Sequence, residues 1–180
     1  RQFGWEEAVQ RAYAAGREVV GICGGFQILG RTLEDPDGVE GKAGEGAEGL
    51  GLLPVRTRFN AEKQTHRVRL QRADGSQLAG YEIHMGQTER EQGCPPFGIL
   101  VERGGREVSI ADGAVGTDGA AWGSYVHGLF ANDAFRRQWL AGLGWGGEAA
   151  GPAAESEYDR LADAVEAALD WGQIERIMGL

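Results

Sequence analysis

Apolar residues recur near the start of the chain at Trp5, Ala8, Val9, Ala12 and Tyr13, the spacing of one helix face. The spacing predicts a helix from Trp5 to Ala15 with Gly16 as its stop. A β-branched run, Val19-Val20-Gly21-Ile22, then reads as a short buried strand. After Cys23-Gly24-Gly25 a helical apolar pattern resumes at Phe26, Ile28 and Leu29 and is expected to run from about Gly25 to Leu33. Helix, strand, sharp turn, helix is the grammar of an α/β fold with a parallel sheet.

Residues 34–51 are acidic, rich in Gly and almost free of large apolar groups. A solvated surface loop is the expectation, with a lid over a substrate or partner as the alternative. Strands follow at Leu52–Phe59, Thr65–Gln71 and Gly80–Met85, then a hairpin of residues 99–102 and 107–110 turning at Arg103-Gly104-Gly105-Arg106. Shorter strand-like pieces occupy 114–116 and 121–126. The middle of the chain is therefore a β-rich antiparallel addition to the α/β frame. Asn132 or Asp133 caps a helix through Phe135, Trp139 and Leu140. A Gly/Ala linker at 142–152 leads to an amphipathic helix from Ser156, and Ile174, Ile177 and Met178 extend an apolar face.

Composition narrows the class. The 180 residues suffice for one domain with a core, 1–180, and the net charge of -9 disfavours nucleic acid as a partner. No apolar run approaches the roughly 20 residues of a membrane span, and no secretory signal pattern is present. Cys23 and Cys94 lie far apart without metal-ligand spacing, which argues against zinc and a disulfide framework and for a reducing cytoplasm. There is no P-loop, no GxGxxG after a strand and no HExxH, so no metal site is expected and any ATP would bind outside this chain. The sequence begins at Arg1 without Met, in what reads as the approach to a helix, and is expected to be a fragment of a longer polypeptide.

The chemistry centres on Cys23. A nucleophile at a strand–helix corner is the idea of the nucleophile elbow. Flanking glycines are expected because such a turn leaves no room for a Cβ, and the helix N-terminus is expected to favour thiolate. A nucleophilic thiol needs a base, and the chain has three histidines, His66, His84 and His127. His127 and His84 both sit at predicted strand ends and share the candidacy, His127 ahead; His66 opens an alternating strand. The Gly24 N–H, next after the nucleophile, is placed to donate to an oxyanion. Cys94 reads as an ordinary loop thiol, and the plain alternative for Cys23 is a small packing residue.

The block Gly21 to Gly30 (GICGGFQILG) resembles the nucleophile motif of class I glutamine amidotransferases, in the form seen in glutaminase domains of the cobyric acid synthase family. Further blocks are similar in the same order: Glu48 to Val55 (EGLGLLPV), Tyr81 to Thr88 (YEIHMGQT), Tyr125 to Phe130 (YVHGLF) and Tyr158 to Ala162 (YDRLA). The resemblance implies a flavodoxin-like sheet with helices on both faces and a glutaminase pair of Cys23 and His127. It sets Gln27 beside Gly24 on the oxyanion and substrate side. Many class I enzymes carry an acid two positions after the histidine; here that position is Leu129, and Glu82 becomes the candidate that holds the His127 tautomer, with His84 secondary in the same pocket. Implied partners are glutamine and a corrinoid acceptor, reached through an ATP- and Mg-dependent synthetase domain that is expected to be missing here, as are the first strands of the glutaminase domain. The alternatives are amidation of another acceptor (cobyrinic acid or a cell-wall lipid intermediate), a non-catalytic binding module, and a cysteine hydrolase of related fold.

Overall fold

The structure, a computed structural model, describes residues 4–147 and 154–179, and the side chains of 154–157 are left aside. The predicted linker at 142–152 therefore lies partly outside the described residues, as does Arg1. Helix α1 (Trp5–Ala14) leads to strand β1 (Val19–Ile22), and helix α2 (Gly24–Leu29) starts immediately after Cys23. The predicted continuation of α2 to Leu33 does not form. At Gly30 the chain runs hard against Val55, where a Cβ would stand 3.0 Å from the Val55 carbonyl oxygen, and the next N–H, of Arg31, donates to that oxygen at 2.8 Å. That capture turns the chain into strand β2 (Thr32–Asp35).

The acidic stretch is not a plain loop. Strands β2 and β3 (Glu45–Glu48) pair antiparallel, and β2 also runs parallel to the long strand β4 (Val55–Gln71). The connection is organised by Asp35, whose buried carboxylate accepts the N–H groups of Val39, Glu40 and Gly41 at 2.7, 2.9 and 2.8 Å. Burial pushes this carboxyl up, but the backbone donors more than offset that and hold it below the usual range. An apolar pattern was the wrong signal to look for here, because backbone pairing and one carboxylate do the ordering.

The two strands expected at 52–59 and 65–71 merge into β4, interrupted by a register shift between Phe59 and Gln64. Strand β5 (Gln77–Arg90) pairs with it along both halves. Strands β6 (Gly98–Arg103) and β7 (Arg106–Asp112) form the expected hairpin, and β6 joins β4. Strands β8 (Ala114–Val115), β9 (Ala121–Ser124) and β10 (Val126–His127) complete the set. The predicted strand at 121–126 is split: β9 lies parallel to β1 in a three-stranded sheet, while β10 crosses to pair with β5 in a seven-stranded one. The architecture is thus mixed α/β with a large antiparallel component. A 3-10 turn (Leu129–Ala131) and helix α3 (Asp133–Gly142) follow. Two compact units divide at Gln138 and Trp139, and the second carries helices α4 (Ala154–Ala168) and α5 (Trp171–Met178).

The core of the first unit gathers Phe26 and Leu29 from α2, Leu53 and Val55, Ala114, Ala121 and Tyr125. It fixes α2 on the β1–β9 pair through close backbone approaches. A Cβ on Gly21 would stand 2.7 Å from the backbone of both Gly25 and Phe26, and one on Gly123 would meet the Phe26 ring at 2.5 Å. Gly21→Ala is therefore expected to lower stability by about 1–3 kcal/mol, the usual cost of overpacking. A shift of the urea unfolding midpoint measures it; an unchanged midpoint would mean that the helix is not seated this tightly.

Candidate active site

Cys23 occupies the corner between β1 and α2 with φ 52° and ψ -113°, and among the described residues no other non-glycine has positive φ. Such a conformation persists only where the surroundings enforce it. Two backbone hydrogen bonds do so: the Cys23 N–H donates to Ser124 O at 2.9 Å, and its carbonyl accepts from Gln27 N at 3.1 Å. The strain sits on the cysteine itself. A Cβ on Gly24 or Gly25 would meet nothing within 4 Å, so the expectation that the flanking glycines serve to avoid a Cβ is corrected. The crowding lies one turn away, at Gly21 and Gly123.

The thiol also departs from expectation. Burial pushes the Cys23 thiol up, and the Gly24 N–H only partly opposes it. The Sγ donates to Ile83 O at 3.5 Å, the contact of a protonated thiol. Cys23 therefore rests as a thiol and needs a base.

Sγ opens into a cleft of about 600 Å³ that is also lined by Gly24, Gln27, His84 and His127. The site residues of the sequence reading thus meet here, Glu82 excepted. His127 ends β10, opposite Tyr81 of β5. Its ring stacks on the Tyr81 ring at 5.0 Å and 7°, and its Nε2 is buried without a hydrogen-bond partner among the described residues. Gly80 permits this approach, since a Cβ there would stand 2.4 Å from His127 O.

His84 is held quite differently. Nδ1 lies 2.8 Å from Gly86 O and Nε2 lies 3.2 Å from Glu82 Oε2. Both ring nitrogens are thus committed, one to a carbonyl oxygen and one to a carboxylate. The ring stacks on Tyr125 at 3.7 Å. Glu82 is buried and takes a second donor, Arg103 Nε. Burial alone would raise its pKa; the His84 and Arg103 hydrogen bonds outweigh that and hold the carboxyl below its usual range. The candidacy of Glu82 as the group orienting His127 is therefore corrected, because both of its oxygens already serve His84 and Arg103. The position two after His127, Leu129, is a buried core residue.

Gln27 lines the cleft with its amide tied behind it, Nε2 donating to Tyr125 OH at 3.3 Å. That hydroxyl lies 2.6 Å from Thr88 Oγ1. The buried Asp112 carboxylate accepts from Ser124 Oγ and from the Tyr125 N–H at 3.3 Å, while Ser124 Oγ accepts the Val126 N–H at 3.0 Å. Burial pushes the Asp112 carboxyl up. These bonds lock the point where the chain leaves one sheet for the other, between the strand that pins Cys23 and the one that bears His127. The sequence reading missed Tyr81, Arg103, Asp112 and Ser124. Their roles arise from partners far along the chain, and only the neighbours of Glu82 in EIHMG hinted at one of them.

Residues 1–135 match the model of the CobB/CobQ-like glutamine amidotransferase domain. The Cobyric acid synthase of Chloroflexus aurantiacus is 47% identical over 164 residues, covering 89% of this chain and 33% of the relative. That of Sorangium cellulosum is 43% identical over 206 residues, covering 100% of this chain and 39% of the relative. The chain thus spans about a third of the length of the curated relatives it matches. The solved structure of PurLQS from Thermotoga maritima aligns with a TM-score of 0.47 at 16% identity, covering 72% of this chain and 60% of that one.

Two outcomes follow from the electrostatics. Glu82→Gln leaves the Arg103 charge and the His84 ring without their buried carboxylate and is expected to cost about 3 kcal/mol in urea unfolding, whereas a loss under about 0.5 kcal/mol would deny the pairing. Because burial raises the Cys23 thiol, its alkylation by iodoacetamide is expected to keep accelerating above pH about 8.5, the range of a free thiol. A rate that plateaus near neutral pH, followed by mass spectrometry of the Cys23 peptide, would contradict this.

Proposed function

The chain belongs to the CobB/CobQ-like glutamine amidotransferase family, and from that membership we propose that it is the glutaminase part of a glutamine-dependent cobyric acid synthase. Relatives that carry the name Cobyric acid synthase along most of this chain support the reading. At the site, the observation that carries it is the contrast between the two histidines of the cleft. His127 Nε2 is buried without a hydrogen-bond partner among the described residues, while both His84 nitrogens are engaged. A base needs a free nitrogen, and of the two only His127 has one.

In this mechanism the side-chain amide of glutamine enters the cleft. His127 Nε2 takes the Cys23 proton as Sγ attacks the amide carbon, and the Gly24 N–H donates to the oxyanion. The tetrahedral intermediate collapses as His127 returns the proton to the departing nitrogen, which leaves as ammonia. His127 then draws a proton from water, whose oxygen attacks the γ-glutamyl thioester, releasing glutamate and restoring the thiol. Stacking on Tyr81 fixes the plane of the His127 ring, so orientation needs no carboxylate at position 129.

Ammonia would then amidate side-chain carboxylates of a corrinoid acceptor, cobyrinic acid a,c-diamide, in cobalamin biosynthesis. That step needs ATP and Mg. Among the described residues no group of three or more His, Cys, Asp or Glu could hold a metal ion. We assign the ATP and Mg to a synthetase domain, and the pathway to the cytoplasm. No helix of the described residues is long and apolar enough to cross a membrane.

Glutaminase assay of the full-length protein tests the reading. Cys23→Ser is expected to abolish glutamate release, and His127→Ala to lower kcat about 10²–10⁴-fold, while His84→Gln has the smaller effect. Glutamine hydrolysis that survives in Cys23→Ser, or a larger loss in His84→Gln than in His127→Ala, would overturn it.

A further inference from the structure

The acidic turn after β2 and the interruption of β4 each deliver one charged side chain to the cleft of Cys23 and His127, and the mechanism uses neither. Glu40 lies on the turn that Asp35 ties down, and its own N–H donates to Asp35 Oδ2 at 2.9 Å. Lys63 lies where the register of β4 and β5 shifts between Phe59 and Gln64, in a stretch whose bend is braced by the Glu62 N–H donating to Asn60 Oδ1 at 3.0 Å. Both residues line the cleft. Both residues are exposed, and neither forms an ion pair with another described residue. The other ionisable side chain there besides Cys23 and His127 is His84, whose two ring nitrogens are already engaged by Gly86 and Glu82. The cleft thus brings together one carboxylate and one ammonium without an ion-pair partner among the described residues, on walls that also carry apolar groups such as Leu33, Phe59 and Met85.

Glutamine has a matching charge pattern. Its reactive amide lies at one end, and its α carbon carries an ammonium and a carboxylate at the other. We infer that Glu40 receives the α-ammonium and Lys63 the α-carboxylate, so that these two residues determine specificity for glutamine over other primary amides. The identity of the ligand rests on the glutaminase reading; the charge pair does not. The Asp35-braced turn gives Glu40 a fixed backbone, which lowers the ordering cost of such a contact. Charge-assisted hydrogen bonds of this kind discriminate strongly, because a ligand lacking the charged group leaves its partner unpaired.

The test compares three probes: L-glutamine, 4-carbamoylbutanoate, which lacks the α-ammonium, and 4-aminobutanamide, which lacks the α-carboxylate. Each is titrated calorimetrically into full-length Cys23→Ser protein, and glutamine turnover is measured with Cys23 intact. Glu40→Gln is expected to raise the Kd and KM for glutamine about tenfold, with kcat within about twofold, and to leave the Kd for 4-carbamoylbutanoate unchanged. Lys63→Met is expected to do the same with 4-aminobutanamide as the insensitive probe. Equal losses on all three probes, or variants that bind and turn over glutamine as well as the parent, overturn the inference while leaving the glutaminase reading intact. Charge-dependent glutamine binding in a protein that does not hydrolyse it sustains the inference and overturns the glutaminase reading. No glutamine binding to Cys23→Ser overturns both.

Discussion

The parallel pairing of β1 with β9 is the constraint on which the site depends. Its last register pair sets Ile22 opposite Ser124, and the next N–H, that of Cys23, closes onto the Ser124 carbonyl. That hydrogen bond holds the cysteine at positive φ and aims its side chain at the cleft. Beyond Ser124 the chain changes sheets, and its crossing is locked by Asp112, so that His127 lands on β5 beside Tyr81. Cys23 and His127 thus hang from the same strand ending, one by a hydrogen bond and one by the covalent chain. The close-packed glycines at 21, 80 and 123 serve this arrangement, letting backbones approach where any side chain would collide.

The electrostatics divide the two cleft histidines into different kinds of group. His84 belongs to a buried hydrogen-bonded cluster with Glu82 and Arg103, satisfied on both nitrogens and backed by Tyr125. The His127 ring stacks on Tyr81, and its buried Nε2 has no hydrogen-bond partner among the described residues. Leaving a buried polar atom unpaired costs free energy, so such an atom at a cleft wall points to use. Burial also pushes the Cys23 thiol up, so that a proton acceptor beside it would be needed to form the thiolate at neutral pH.

Much of this was legible in the sequence, for identifiable reasons. The β-branched run ending in Cys-Gly-Gly exposed the elbow because a strand period gives way to a helix period with no linker. YVHGLF exposed His127 because a strand end before Gly is where a functional side chain emerges. What stayed hidden was set by distant partners. The role of Glu82 depends on Arg103, twenty-one residues on, and the burial of Asp112 depends on Ser124. The β2–β3 hairpin was invisible because its order comes from backbone N–H groups on Asp35, which no apolar pattern records. The length of α2 was overestimated because the contact that ends it, Gly30 against Val55, is tertiary.

The central claim is that Cys23, activated by His127, is the sulfur that attacks glutamine. A diazoketone analogue of glutamine tests it most directly, since it alkylates only a nucleophile seated against a bound glutamine side chain. Peptide mass spectrometry of the treated full-length protein should find one adduct, on Cys23, suppressed by excess glutamine and formed much more slowly in His127→Ala. Absence of an adduct, labelling of Cys94 at an equal rate, or labelling indifferent to glutamine would contradict the account.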